Sequence, residues 1–137
     1  MTAVEPEVGM TVPGFERTID LATMVAYAGA TWDWNRLHYD HEFLAERGIP
    51  TPVVDGQMFG ALLAEQAMDW LGGNAFPTHM AFRFRSMVFA GETVRVEGTV
   101  ADVDHETATA TIDQQVLVGD RVAVTGTTTV RWKGDGS

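Results

Sequence analysis

The chain has 137 residues, 19 Asp and Glu against 9 Lys and Arg, a formal net charge of −10 and no cysteine. Those figures exclude disulfides, zinc ribbons and thiolate catalysis, and they set the chain's own charge against nucleic-acid phosphates and anionic membranes. With 45% hydrophobic and 20% charged residues, the composition is that of a folded protein; this length supports one sizeable core rather than two, so a single domain over residues 1–137 is expected.

In chain order, residues 1–13 mix Glu, Pro and Gly and read as an irregular arm. No basic region followed by an apolar core stands there, and no run of about 18 apolar residues occurs anywhere. No signal peptide or membrane span is expected, and the cytoplasm is the expected compartment. A short strand follows at 15–19. Asp20 then offers a helix cap, and Leu21, Met24, Val25 and Ala28 fall on one helical face that should stop near Gly29. Residues 31–39 form a polar, Trp-rich loop. A second helix at 41–47 starts after Asp40 and ends at Gly48, with Pro50 and Pro52 barring its continuation.

Residues 56–71 say most about the fold. Apolar side chains from Met58 to Leu71 cover most of the helix circumference and leave only Glu65, Gln66 and Asp69 as a polar strip. This helix should therefore be buried nearly all round, with Met58, Phe59 and Met68 as core side chains. At about 24 Å it is too short to cross a bilayer, so protein must bury it. Gly72 and Gly73 end it. After Pro77 the period changes to two: Met80, Phe82 and Phe84 alternate with Ala81, Arg83 and Arg85. Further strands rich in Thr and Val are expected at 93–103, 107–118 and 121–132, with turns at 91–92, 102–106 and 119–120, and the tail 133–137 is polar. One short strand, then helices, then a long apolar helix and four antiparallel strands in a meander is the order of an α+β hot-dog fold, a curved sheet wrapped around one central helix.

Of the four histidines, His41 falls in the first turn of a helix, His79 at a strand start and His105 in an acidic turn, where a solvated role suffices. His38 differs, because Asp33 precedes it by five positions. On a continuous helix that offset would put the two side chains about 140° apart. They meet only if the chain leaves the helix between them, which Asn35, a turn former, allows. An imidazole can accept a proton from water near neutral pH. Asp33 would serve either as a proton donor, if Trp32 and Trp34 desolvate it, or as a carboxylate that orients the water.

The residues Tyr27-Ala28, Thr31, Asp33, Asn35, Leu37, His38 and Asp40 together resemble the signature of the MaoC-like dehydratases, or (R)-specific enoyl-CoA hydratases, a hot-dog family. The resemblance extends to Gly56, where the family's central helix begins, and to the aromatic run from Phe82 to Gly91-Glu92. About residues 15–132 follow the family's order. Three positions depart from it: Trp32 stands in place of Gly, Arg36 in place of Pro, and Asp55 in place of His.

The resemblance implies reversible hydration of trans-2-enoyl thioesters, carried on CoA or an acyl carrier protein, to (R)-3-hydroxyacyl thioesters, with no metal or redox cofactor. It implies that Asp33 and His38 share one water and that the backbone N–H of Gly56 polarises the thioester carbonyl. A helix N-terminus suits that task, and the missing side chain at Gly56 lets the thioester approach. Asn35, Trp32, Trp34, Asp55, Arg83 and Arg85 are the expected substrate-binding residues. Asp55 would either oppose charge developing on the carbonyl or point away as a helix cap. Arg83 and Arg85 would either form a solvated or dimer-facing sheet surface or meet the phosphates of CoA or an acyl carrier. A homodimer is expected, because the sheet leaves an edge and an outer face to cover, with a hetero-oligomer containing another hot-dog subunit as the alternative. Two further readings stay open: a hot-dog thioesterase in which Asp55 or Glu65 activates water, and a non-catalytic partner subunit of a hetero-oligomeric dehydratase.

Overall fold

The computed structural model describes residues 5–72 and 75–132. Five strands form one antiparallel sheet: β1 (Thr11–Thr18), β2 (Ala75–Phe84), β3 (Thr93–Asp104), β4 (Thr109–Val118) and β5 (Arg121–Trp132), in the spatial order β1-β3-β4-β5-β2. Three helices, α1 (Leu21–Thr31), α2 (His41–Glu46) and α3 (Gly56–Leu71), lie between β1 and β2 in sequence. The apolar faces of the strands close over α3, which is the hot-dog arrangement. No helix among the described residues is long and apolar enough to cross a membrane.

Several boundaries differ from the expected ones. β1 begins at Thr11, so the irregular arm is shorter than 1–13, and its first four residues lie outside the described residues. The tail 133–137 and Gly73 lie outside them as well. α1 runs two residues past Gly29, because Trp32 rather than the glycine takes the left-handed conformation that closes the helix. β2 begins before Pro77; a proline is tolerated there because β2 is an edge strand, and the register shifts between Pro77 and His79. The meander comprises β3, β4 and β5 alone. β2 pairs with β5 on the far side of the sheet, and β3 lies beside β1.

α3 matches its expected bounds but not its expected faces. Gln66, assigned to the polar strip, is 1% exposed, whereas Met68 is 45% exposed. The reason is a polar link across the core. Gln114 Nε2 donates to Leu63 O and to Gln66 Oε1, both at 2.9 Å, the Thr128 hydroxyl donates to Gln114 Oε1, and Gln66 Nε2 donates to Pro13 O at 3.3 Å. Gly98 makes room for it, since a Cβ there would lie 3.0 Å from Gln66 Oε1. This link separates two apolar clusters, one around Met58, Phe59, Leu63, Val96 and Val116 and the other around Val12, Trp70, Val100 and Ile112. The first cluster supports the start of α3, where the titratable side chains gather.

Candidate active site

Three segments converge at the N-terminal end of α3. The first is the exit of α1, where Trp32 sits at φ 57° and Asp33 N–H donates to Ala28 O at 3.0 Å, turning the chain out of the helix. The second is a single 3-10 turn, Arg36–His38, capped by Asn35, whose Oδ1 accepts from Leu37 N–H at 3.1 Å. The third is the stretch 52–55, stitched to 88–90 by Val54 N–H to Val88 O at 2.8 Å and Ala90 N–H to Pro52 O at 2.9 Å. Val53 N–H donates to Leu37 O at 2.9 Å, and Val53 O accepts from His38 Nδ1 at 2.7 Å, so the third segment grips the second.

That last bond fixes the imidazole. A carbonyl only accepts, so Nδ1 carries a hydrogen, and Nε2 is the ring nitrogen left to exchange a proton with the site. Nε2 lies 3.9 Å from Asp55 Oδ2, and one polar atom each from Asp33, His38 and Asp55 lie within 4.8 Å of one another. Asp33 and His38 therefore do meet, because the chain leaves the helix at Trp32 and turns again at Asn35. Three such atoms could hold a cation, and two carboxyls and an imidazole could equally pass protons among themselves and with water.

The two acids are driven apart electrostatically. Asp33 is held below the usual carboxylate range, first by the Asp55 carboxyl beside it and then by Asn35 N–H, which donates to Asp33 Oδ1. It remains a carboxylate. Trp32 and Trp34 do not desolvate it into a donor, since Trp32 is 80% exposed and Trp34 is exposed too. Instead they stack edge to face at 5.9 Å, and Trp34 stacks on Tyr39 at 6.3 Å, forming an aromatic rim. Asp55 is pushed up, first by burial and then by Asp33. Its Oδ1 caps α3 by accepting from Gln57 N–H at 2.9 Å, while its Oδ2 turns into the cluster. Cap and site-facing group are thus one residue. Tyr27 of α1, which the sequence pattern placed only as part of a motif, has its hydroxyl pushed up by burial, then by the charges of Asp55 and Asp33.

Gly56 opens α3 with an N–H that the helix itself cannot use. Its missing side chain does not leave open space, however. A Cβ there would lie 2.3 Å from the Phe84 ring, so the glycine seats an aromatic that stacks on Phe82. Beside it opens a cavity of about 370 Å³ lined by His38, Gly56, Phe59, Phe84, Arg85 and Met87, among others. A larger depression, about 760 Å³, lies on the outer face of the sheet among Arg83, Arg85, Glu97 and Asp113. No imidazole lines it, whereas His38 lines the smaller cavity. Arg85 borders both and its Nε donates to Thr125 Oγ1 at 3.1 Å, whereas Arg83 borders the outer depression alone. Glu65 is held by Arg17 through bonds of 2.6 and 3.1 Å, outside the cluster. His41, His79 and His105 are exposed.

A protein-family model described as "MaoC like domain" matches residues 4–125. The chain belongs to the MaoC-like domain family. The (R)-specific enoyl-CoA hydratase of Aeromonas caviae is 28% identical over 136 residues, spanning 96% of this chain and 98% of that protein. The solved structure of the (R)-hydratase from A. caviae involved in PHA biosynthesis is similar with a TM-score of 0.88 at 26% identity, covering 96% of this chain and 100% of that one. A chain of the ChsH1-ChsH2 complex from Mycobacterium tuberculosis has a TM-score of 0.87 at 22% identity, covering 94% and 100%, a likeness of fold. Of the three departures from the MaoC-like signature, Trp32 closes α1 in a left-handed conformation that a glycine adopts without strain. Arg36 replaces a rigid proline with an ion pair, Nε to Asp40 Oδ2 at 2.9 Å. Asp55 joins the cluster itself.

Proposed function

We propose that this MaoC-like chain hydrates trans-2-enoyl thioesters to (R)-3-hydroxyacyl thioesters and runs the reverse dehydration, with the acyl group on CoA or an acyl carrier protein. The observation that carries the reading is the anchored imidazole: His38 Nδ1 bonded to Val53 O, with Nε2 free and a carboxylate beside it at the start of α3. The A. caviae relative over nearly the whole chain supports it. In the forward direction Asp33, ionised, orients a water, and His38 Nε2 takes a proton from it as oxygen bonds to C3. Negative charge collects on the thioester oxygen, where Gly56 N–H and the positive end of α3 stabilise it. The proton held by His38 returns to C2, so the elements of one water are added and the protein ends unchanged. Trp32, Trp34 and Asn35 shape the mouth, and Arg85, which borders the cavity, is placed to meet a carrier phosphate. The unpaired outer edge of β2, with Phe76 and Phe84 exposed, is offered to a second hot-dog subunit, most simply another copy of this chain.

The deciding assay adds purified protein to a short trans-2-enoyl-CoA. Loss of the conjugated absorbance with no free thiol supports hydration. Release of thiol would mean hydrolysis, the thioesterase reading, and no change at all would favour a subunit that needs a partner for activity. Light scattering on the same sample reads the mass, which should be that of a dimer.

A further inference from the structure

Asp55 divides its two oxygens between two tasks. Oδ1 caps α3, but Oδ2 is buried and has no hydrogen-bond partner among the described residues, in a residue only 8% exposed. A buried polar atom left in that state calls for an explanation. Around it are the Asp33 carboxyl, from the loop after α1, and His38 Nε2, 3.9 Å away in the 3-10 turn, with one polar atom of each of the three residues within 4.8 Å of the others; Tyr27 of α1 is near enough for its hydroxyl to feel the charge of both acids. Arg85, which lines the adjoining cavity, is engaged with Thr125. Two ionised carboxyls have only acceptors to offer each other, so neither could satisfy the other. A single proton between them turns the contact into a donor and an acceptor.

We propose that Asp55 is a positioning acid, which keeps one proton at neutral pH, donates it from Oδ2 to the Asp33 carboxylate, and so holds Asp33 ionised and turned toward the water that His38 deprotonates. The opposite directions in which the two carboxyls move agree with this, Asp55 up and Asp33 down. The consequence for the chemistry is twofold. A neutral Asp55 does not oppose negative charge gathering near Gly56 N–H, and a fixed Asp33 leaves His38 as the one strong proton acceptor on the water. The proton itself does not depend on the hydratase reading; its catalytic consequence does.

The experiment has two arms, both on the full chain. Infrared difference spectra at neutral pH between the wild type and Asp55→Asn should show the carbonyl stretch of a protonated carboxylic acid in the wild type alone; its absence from the wild type would overturn the proposal. In the second arm, Asp55→Ser keeps the helix cap but cannot reach Asp33, and it should lose about 10- to 100-fold in kcat with little change in KM. Asp55→Asn, whose amide can still donate to Asp33, should restore most of that loss and carry activity to higher pH than the wild type, because it has no proton to lose. Equal loss in both variants with an unmoved pH profile, or no loss in either, would overturn the positioning role. A wild type inactive on enoyl thioesters would sink the hydratase reading and leave the infrared arm to decide on the proton.

Discussion

Two polar residues are buried along α3, and they are buried differently. Gln66, in the middle, belongs to a network in which its own amide and that of Gln114 have partners, ending on Leu63 O, Pro13 O and the Thr128 hydroxyl. Asp55, at the start, leaves Oδ2 without a conventional partner beside a second acid and an imidazole. A satisfied network specifies packing and register; an unsatisfied one held in place by its surroundings is a reservoir for chemistry. The contrast predicts that changes at one end of the helix move rate far more than stability at neutral pH, and that changes in the middle do the reverse.

The sharpest break would come at the cluster. Asp33→Asn and His38→Gln should each lower kcat for enoyl-CoA hydration by about 10²- to 10⁴-fold, with little effect on KM or on the melting temperature. The middle of the helix should answer the other way. Gln114→Leu strands Gln66 Oε1 and the Thr128 hydroxyl and takes a second bond from Leu63 O, which should cost on the order of 3 kcal/mol in denaturant unfolding while leaving kcat per folded molecule unchanged.

A subtler difference lies in pH. Asp55 has a raised carboxyl in the folded chain, so its stabilising contribution is complete below the unfolded value of about 3.9 and is lost as pH rises through the folded value. Asp33 runs oppositely: its contribution is present above about 3.9 and lost as pH falls through its lowered value. Well above pH 4, where the carboxyls lowered by the fold, Asp20, Asp33, Asp40 and Asp104, are ionised in both states, Asp55 should therefore add a downward component to wild-type stability that Asp55→Asn removes, measured by unfolding at a series of pH values. The smallest effect should be at Trp32. Replacing a mostly exposed residue in a left-handed cap by glycine, at the loss of one edge-to-face contact with Trp34, should raise stability by up to about 1 kcal/mol.

Much of the fold was legible in the sequence because its strongest signals are local. Glycine, aliphatic density and Gly72 bracket α3, and the switch from helical to alternating periodicity marks the strands. Strand order is not local: nothing between residues 85 and 92 says that β2 will pair with β5 while β3 crosses to β1. The polar strip failed for the same reason, since the partners of Gln66 sit 48 and more positions away. At the site, the spacing of Asp33 and His38 allowed a meeting only if the chain left the helix between them, and it was the resemblance to the MaoC-like signature that pointed to it. The cap at Asp55 was legible too, but the place of its second oxygen beside His38 was not, because that depends on how separate segments converge. Phe84 over Gly56 was hidden too, a contact between a helix start and the end of a sheet edge.

That Asp33 and His38 act on one water is tested most directly by combining their substitutions. If they form a unit, the doubly substituted Asp33→Asn, His38→Gln protein should be no slower than the slower single variant, because the first change already spoils what the second would remove. Rate losses that multiply in the double variant would show two groups working independently, and would contradict the account.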